Sequence, residues 1–129
     1  MIKLNIKTTS KVEIIDITNA VKDAISKLNK NDGFVLVYVP HTTAAITINE
    51  SYDPMVGVDI LNILDKLVPS NLKYKHLEGN AEAHIKASLI GSSVMLILEN
   101  GEIKMGKWQG ILFCEFDGPR SREVWIKVI

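Results

Sequence analysis

Three histidines, His41, His76 and His84, and two arginines, Arg120 and Arg122, are the side chains best suited to chemistry in this chain. Imidazole titrates near neutral pH and ligates metals. Three neutral imidazoles around one ion, with a fourth position open, make a catalytic type of zinc site. The spacing alone does not establish such a site. On one continuous helix His76 and His84 would stand ~12 Å apart and ~80° out of register. For them to meet, the chain has to turn at Gly79 and fold His76 back toward the helix that carries His84. No HExxH pair is present, and each histidine taken singly reads as readily as a packed or solvated side chain. The arginines are the only two among 15 basic residues, and both fall in one short turn. A guanidinium fork grips phosphate or carboxylate bidentately, which lysine cannot do. The plainer alternative is a salt-bridged surface turn.

Two further segments carry polar groups in patterns. If residues 41–49 are extended, His41, Thr43, Thr47 and Asn49 share one face, while Ala44, Ile46 and Ile48 share the other. That is either a plain solvent face or a polar floor beside a ligand. Glu50 and Asp53 follow, each placed to act as a base or acceptor, or merely to favour a helix start. Downstream, Trp108 offers a stacking surface beside the amide of Gln109, or else a core or interface aromatic. Glu115 and Asp117 precede the arginines, either as an ion-pair network or as part of a site for a phosphate-bearing ligand. Cys114 alternates onto the face of Leu112 and Phe116 and reads as buried filler.

The elements that must position these groups follow from periodicity. Residues 2–7 alternate as a half-buried strand, and 12–15 form a second one. Asp16 or Thr18 can cap a helix with Val21, Ala24, Ile25 and Leu28 on its apolar stripe. Residues 34–39 are six consecutive apolar positions, which predicts a central strand covered on both faces. Residues 43–49 form the next strand. Asp53 and Pro54 then start a helix with Val58, Leu61, Leu64 and Val68 at helical spacing, ended by Pro69. A polar loop covers 70–79, and a third helix runs from Asn80 to Ile90. Strands at 94–98, 102–106, 109–116 and 122–128 close the chain, with Asn100 and Gly101 as a tight hairpin turn. Seven or eight strands and three helices without regular alternation give an α+β class.

The chain has 129 residues, 15 basic against 15 acidic side chains and 47% apolar residues. This is the profile of one folded domain spanning 1–129. Zero net charge argues against a nucleic-acid binder or a membrane-surface protein. No apolar run approaches the ~20 residues of a membrane helix, and the first residues alternate instead of forming an apolar leader. A lone cysteine excludes an internal disulfide and makes a cytoplasmic location the default.

Three stretches together, HTTAAITINE with the following DP, GNAEAHIKASLIGSS and WQGILFCEFDGPRSR, resemble the YjbQ-like family, known as secondary thiamine-phosphate synthases. Lys107 departs from the Thr usual in the family before the Trp-Gln pair. The resemblance implies an α+β fold with a β-sandwich-like core of mostly antiparallel strands, assembled as a homotrimer. It also implies that His41, His76 and His84 gather around a divalent metal, with zinc the usual ion and Mg²⁺ the alternative. The implied activity joins a hydroxymethylpyrimidine pyrophosphate to a thiazole phosphate, so the partner is a small phosphorylated molecule. On that reading Arg120 and Arg122 take the leaving pyrophosphate and Glu50 serves as base. Thr43, Asn49, Asn80, Lys86, Trp108, Gln109 and Asp117 then contact substrate. Three imidazoles suit a metal-bound hydroxide as well, which keeps open a zinc-dependent hydrolase of a phosphoester. A non-enzymatic trimer that binds a metal or an anion is the third reading.

Overall fold

The computed structural model describes residues 1–76 and 78–129. The elements are β1 (Ile2–Lys7), β2 (Glu13–Asp16), α1 (Thr18–Ser26), β3 (Gly33–Tyr38), β4 (Ala44–Glu50), α2 (Pro54–Leu67), α3 (Ala81–Ile90), β5 (Ser93–Glu99), β6 (Glu102–Lys104), β7 (Gln109–Glu115) and β8 (Ser121–Val128). Five strands form one sheet in the order β1-β8-β3-β5-β6, and three form a second in the order β2-β7-β4. Every pairing is antiparallel. This is the expected α+β fold, with its strands split into two sheets.

Alternation along the strands builds the layers. Val35, Val37, Leu96, Leu98, Val124 and Ile126 face Ile46, Ile111 and Phe113 across the gap between the sheets. Helix α1 closes that core with Val21, Ala24 and Ile25. The opposite parity of the small sheet, Ala45 and Cys114, packs with Phe116 against Leu64 of α2 and Ala83 and Ala87 of α3. Strand β7 therefore lies in the middle layer, and Gly110 to Glu115 are all buried. Burial pushes the Cys114 thiol up to about 12, as suits an inert filler.

Local chemistry explains the boundaries. Asp53 Oδ1 accepts the Met55 amide at 2.9 Å and caps α2. Asp16 Oδ1 accepts from the Thr18 amide at 2.9 Å at the head of α1. Asn100 and Gly101 both hold positive φ, 53° and 78°, in the β5–β6 hairpin.

Two expectations change. Strand β3 is central in its sheet but covered on one face only: Val35 and Val37 are buried, while Phe34 is 50% exposed. A continuous apolar run does not distinguish a strand with two buried faces from one whose outer face is apolar. The outer face here is a patch, because Phe34 pairs with Ile97 and Leu36 with Met95, and Tyr38 lies across from Trp125. In α2 only Leu64 is buried within the helix, with Val68 just beyond it, and Val58 is exposed. No described helix is long and apolar enough to cross a membrane.

Candidate functional site at the histidine end

The small sheet has two ends, and the residues singled out above divide between them. Ala44 pairs with Glu115 at one end of β4, and Glu50 pairs with Gln109 at the other. Six residue steps at ~3.3 Å put these ends about 20 Å apart. Asn49, Glu50, Trp108 and Gln109 occupy the far end. His41, Thr43, Asp117 and Arg122 gather at the near end, together with Asn80 and Arg120.

The near end is founded on a buried ion pair. Residues 111, 113 and 115 of β7 and 122, 124 and 126 of β8 point into the core between the sheets, so Glu115 and Arg122 close one end of it. They are 0% and 4% exposed. Arg122 Nε donates to Glu115 Oε1 at 2.9 Å, and Nη2 donates to Oε2 and to Thr43 Oγ1, the latter at 2.8 Å. Thr8 Oγ1 donates to Glu115 Oε1 at 2.8 Å. Burial by itself would raise the Glu115 carboxyl; the bonds from Arg122, Thr8 and the Asp117 amide outweigh it and hold the group below the ordinary carboxylate range. Gly118 is required beside this cluster, because a Cβ there would meet Ser10 O at 2.4 Å and Thr8 Oγ1 at 2.8 Å. The expected phosphate clamp is thus revised. Arg122 is committed to Glu115 and Thr43, and of the two arginines only Arg120 reaches solvent.

Around this foundation the polar groups link in pairs. Asp117 Oδ2 accepts from Asn80 Nδ2 at 2.8 Å and from Arg120 Nη2 at 3.1 Å. Arg120 Nε donates to the Asp117 carbonyl at 2.9 Å. Asn80 stands at the N-cap of α3, but its side chain ties the helix to this turn and makes no capping bond. Lys86 goes elsewhere: its buried side chain reaches Asp65 of α2 at 3.5 Å. It braces the two helices and lines neither groove described below.

Gly79, at φ 79°, turns the loop before α3, and the rings of His76 and His84 lie 5.0 Å apart, edge to face. His84 lines two grooves. One, of about 490 Å³, it shares with His41, Thr42, Ser88 and Ser92. The other, of about 280 Å³, it shares with Tyr74, Lys75 and His76.

His41 has a structural task. Beyond Tyr38, β3 no longer pairs with β8, and His41 Nε2 accepts the Glu123 amide of β8 at 2.9 Å. The imidazole replaces the missing strand as acceptor. Burial and the nearby Arg122 charge lower its pKa from 6.5, against the pull of the Glu123 amide bond and the Glu115 and Glu123 carboxylates. Truncating His41 to Ala strands the Glu123 amide, and the expected loss is ~1–3 kcal/mol. His41→Gln, whose carbonyl oxygen can take the place of Nε2, is expected to recover most of it in urea unfolding.

This bond bears on the metal. A backbone amide only donates, so the Nε2 lone pair of His41 is taken. The carboxylates a harder ion would need, Glu115 and Asp117, are bonded to Arg122, Arg120 and Asn80. Among the described residues no three His, Cys, Asp or Glu side chains come together in a metal-holding group. As arranged, the three histidines do not fit one shared ion; His76 and His84 are a pair, and His41 faces Glu123.

At the far end Trp108 is 48% exposed, edge-on to Tyr52 at 5.0 Å, with the Lys107 ammonium 4.8 Å from its ring centre. Glu50, Tyr52, Asp53, Pro54 and Trp108 line a cavity of about 400 Å³. Gln109 Oε1 accepts the Gly106 amide at 2.7 Å, and Asn49 Oδ1 accepts the Glu50 amide at 2.7 Å. Both side-chain carbonyl oxygens are engaged locally. Within one chain these residues are not part of the histidine site.

The comparisons with known proteins agree on the family. Residues 2–129 match the family described as UPF0047 protein YjbQ-like. The chain belongs to the UPF0047 family. A UPF0047 protein of Methanocaldococcus jannaschii is 51% identical over 129 residues, covering 100% of this chain and 94% of the relative. UPF0047 protein YugU of Bacillus subtilis is 48% identical over 127 residues, covering 98% and 96%. Among solved structures, a YjbQ/UPF0047 protein of Clostridium acetobutylicum superposes with a TM-score of 0.97 at 55% identity, covering 100% of both chains. A conserved hypothetical protein of Thermus thermophilus gives 0.92 at 38% identity, again over 100% of both.

Sequence reasoning missed Thr8, Glu123, Tyr74 and Lys75. Thr8 follows the alternating β1 strand and was readable by parity. The part Glu123 plays lies in its backbone amide, which leaves no trace in residue type.

Proposed function

We propose that this UPF0047 protein is a cytoplasmic enzyme acting on a small phosphorylated molecule at the histidine end. The observation that carries this reading is the position of His84, on the wall between two grooves, with the His76 ring 5.0 Å away. Two adjacent imidazoles can pass a proton to or from a bound substrate. Lys75 in the same groove and the half-exposed Arg120 nearby supply positive charge for phosphate oxygens. The thiamine-phosphate synthase reaction implied by the resemblance is the specific form of this proposal. In it the bond from the pyrimidine methylene carbon to pyrophosphate breaks, and the thiazole nitrogen bonds to that carbon. Such a step asks chiefly for cations on the leaving group.

One observation favours hydrolysis as the second reading. Arg122 is consumed by Glu115, so fewer free cations face a leaving pyrophosphate, while the imidazoles remain for proton transfer to or from water. Arg120→Gln separates contact with phosphate from scaffolding. Assayed on the two thiamine precursors and on phosphomonoesters and diesters, it is expected to raise KM for whichever is turned over. An unchanged KM removes Arg120 from the site.

We further propose a homotrimer that covers the outer face of the large sheet. Met95 and Ile97 are 54% and 55% exposed there, beside Phe34 and Tyr38. Lys3, Lys127, Glu99 and Glu102 share the outer side of the sheet with them; a ring of three joins two different patches, so this face meets another surface of the neighbouring copy. A Met95→Asp variant is expected to elute as a monomer in light-scattering chromatography; an unchanged mass places the contact elsewhere.

A further inference from the structure

We infer that His41 is a neutral hydrogen-bond donor, offering its Nδ1–H to an oxyanion in the groove it shares with His84, and is not a metal ligand. The inference rests on the phosphorylated-substrate reading for the identity of the acceptor, but not for the state of the ring.

The state of the ring follows from one bond. The Glu123 amide donates to Nε2 at 2.9 Å, so that nitrogen holds no proton. A neutral imidazole then carries its proton on Nδ1. No acceptor of the described chain meets Nδ1, and His41 borders the groove of about 490 Å³. To ligate a metal through Nε2 the ring would have to abandon the β8 amide. To ligate through Nδ1 it would have to move its proton to Nε2, against the Glu123 N–H. Either change leaves the part-buried Glu123 amide without a partner. Burial and the Arg122 charge also favour the neutral form, with Glu115 and Glu123 opposing.

The groove itself suits an acceptor. Its lining includes no carboxylate. Thr42 and Ser92 bring hydroxyls that are free to donate, whereas the Ser88 hydroxyl is spent on the His84 carbonyl at 2.9 Å. Arg122 lies near His41, but its charge is shared with Glu115, which it does not leave. An oxyanion such as a phosphate oxygen meets hydrogen-bond donors here, while a divalent cation meets a blocked ring.

The test uses the wild-type protein, uniformly labelled with ¹⁵N, and two-bond correlations that report each imidazole nitrogen. His41 is expected to show a protonated Nδ1 and a bare Nε2, and one equivalent of zinc is expected to leave both unmoved. An Nε2-protonated ring, or zinc shifting the His41 nitrogens, overturns the inference. Inorganic phosphate is then expected to shift Nδ1 of His41. If phosphate moves His76 and His84 but not His41, the donor role fails while the proposed function stands; if it moves none of the three, both fail. His41→Gln keeps an acceptor for Glu123 but lacks the Nδ1–H. It is expected to keep most of the wild-type stability and weaken phosphate binding about tenfold, the usual scale for one hydrogen bond to a charged group. Unchanged phosphate affinity in that variant overturns the donor role.

Discussion

Replacing Arg122 by Met is expected to cost about 3–5 kcal/mol of folding stability, because it leaves the Glu115 carboxylate buried and unpaired. Domains of this size hold only ~5–15 kcal/mol in total, so the variant sits at the edge of folding. Urea unfolding measures the loss. The double variant Glu115→Leu with Arg122→Met is expected to be much less damaged, since apolar replacement of both partners is often nearly neutral. Equal damage in the single and double variants would mean that the pair does not anchor the near end of the small sheet. The acid limb gives a second reading of the same pair. The folded carboxyl of Glu115 lies below its ordinary value of 4.5. Its stabilisation is therefore complete above that value and is lost as pH falls through the folded value. Wild-type stability should fall in that acid window, and the fall should shrink in the double variant.

His84→Ala is expected to lower turnover by ~10²–10⁴-fold, the range for losing a group that transfers a proton in the rate-limiting step. His84 is only partly buried on α3, and its ring takes part in no hydrogen bond among the described residues. The variant should keep the wild-type circular dichroism and an unfolding midpoint close to wild type. His76→Ala is expected to lower turnover too, because its ring is the neighbour of His84 at 5.0 Å. Full turnover of whichever phosphorylated substrate the wild type accepts, retained in both variants, would remove the imidazole pair from the chemistry.

Much of the scaffold was legible from the chain. The Asp53–Pro54 helix start, the Asn100–Gly101 turn and the alternation of residues 2–7 are local signals, and local signals survive into the fold. The return of His76 toward α3 was readable from Gly79, since only a turn there lets the two imidazoles meet. The committed state of Arg122 was not readable. Its partner Glu115 is close in sequence, but whether the pair is buried or free depends on the two sheets closing over it. The separation of Trp108 and Glu50 from the histidines was hidden for a similar reason. His41 lies just before β4 and Glu50 ends it, and an extended strand carries its two ends apart; a motif read as one block of letters conceals that distance. The exposed face of β3 was misread because hydrophobicity reports what a face prefers to touch, and says nothing about whether the same chain supplies the contact.

The proposed function places ligand chemistry at the histidine end. Titrating inorganic pyrophosphate into ¹⁵N-labelled protein and following every backbone amide tests it most directly. The largest shifts are expected to cluster at His41 to Ala44, at His76 and along His84 to Ser92, with Arg120 beside them. Shifts concentrated instead around Glu50, Trp108 and Gln109, or none at saturating pyrophosphate, would contradict it.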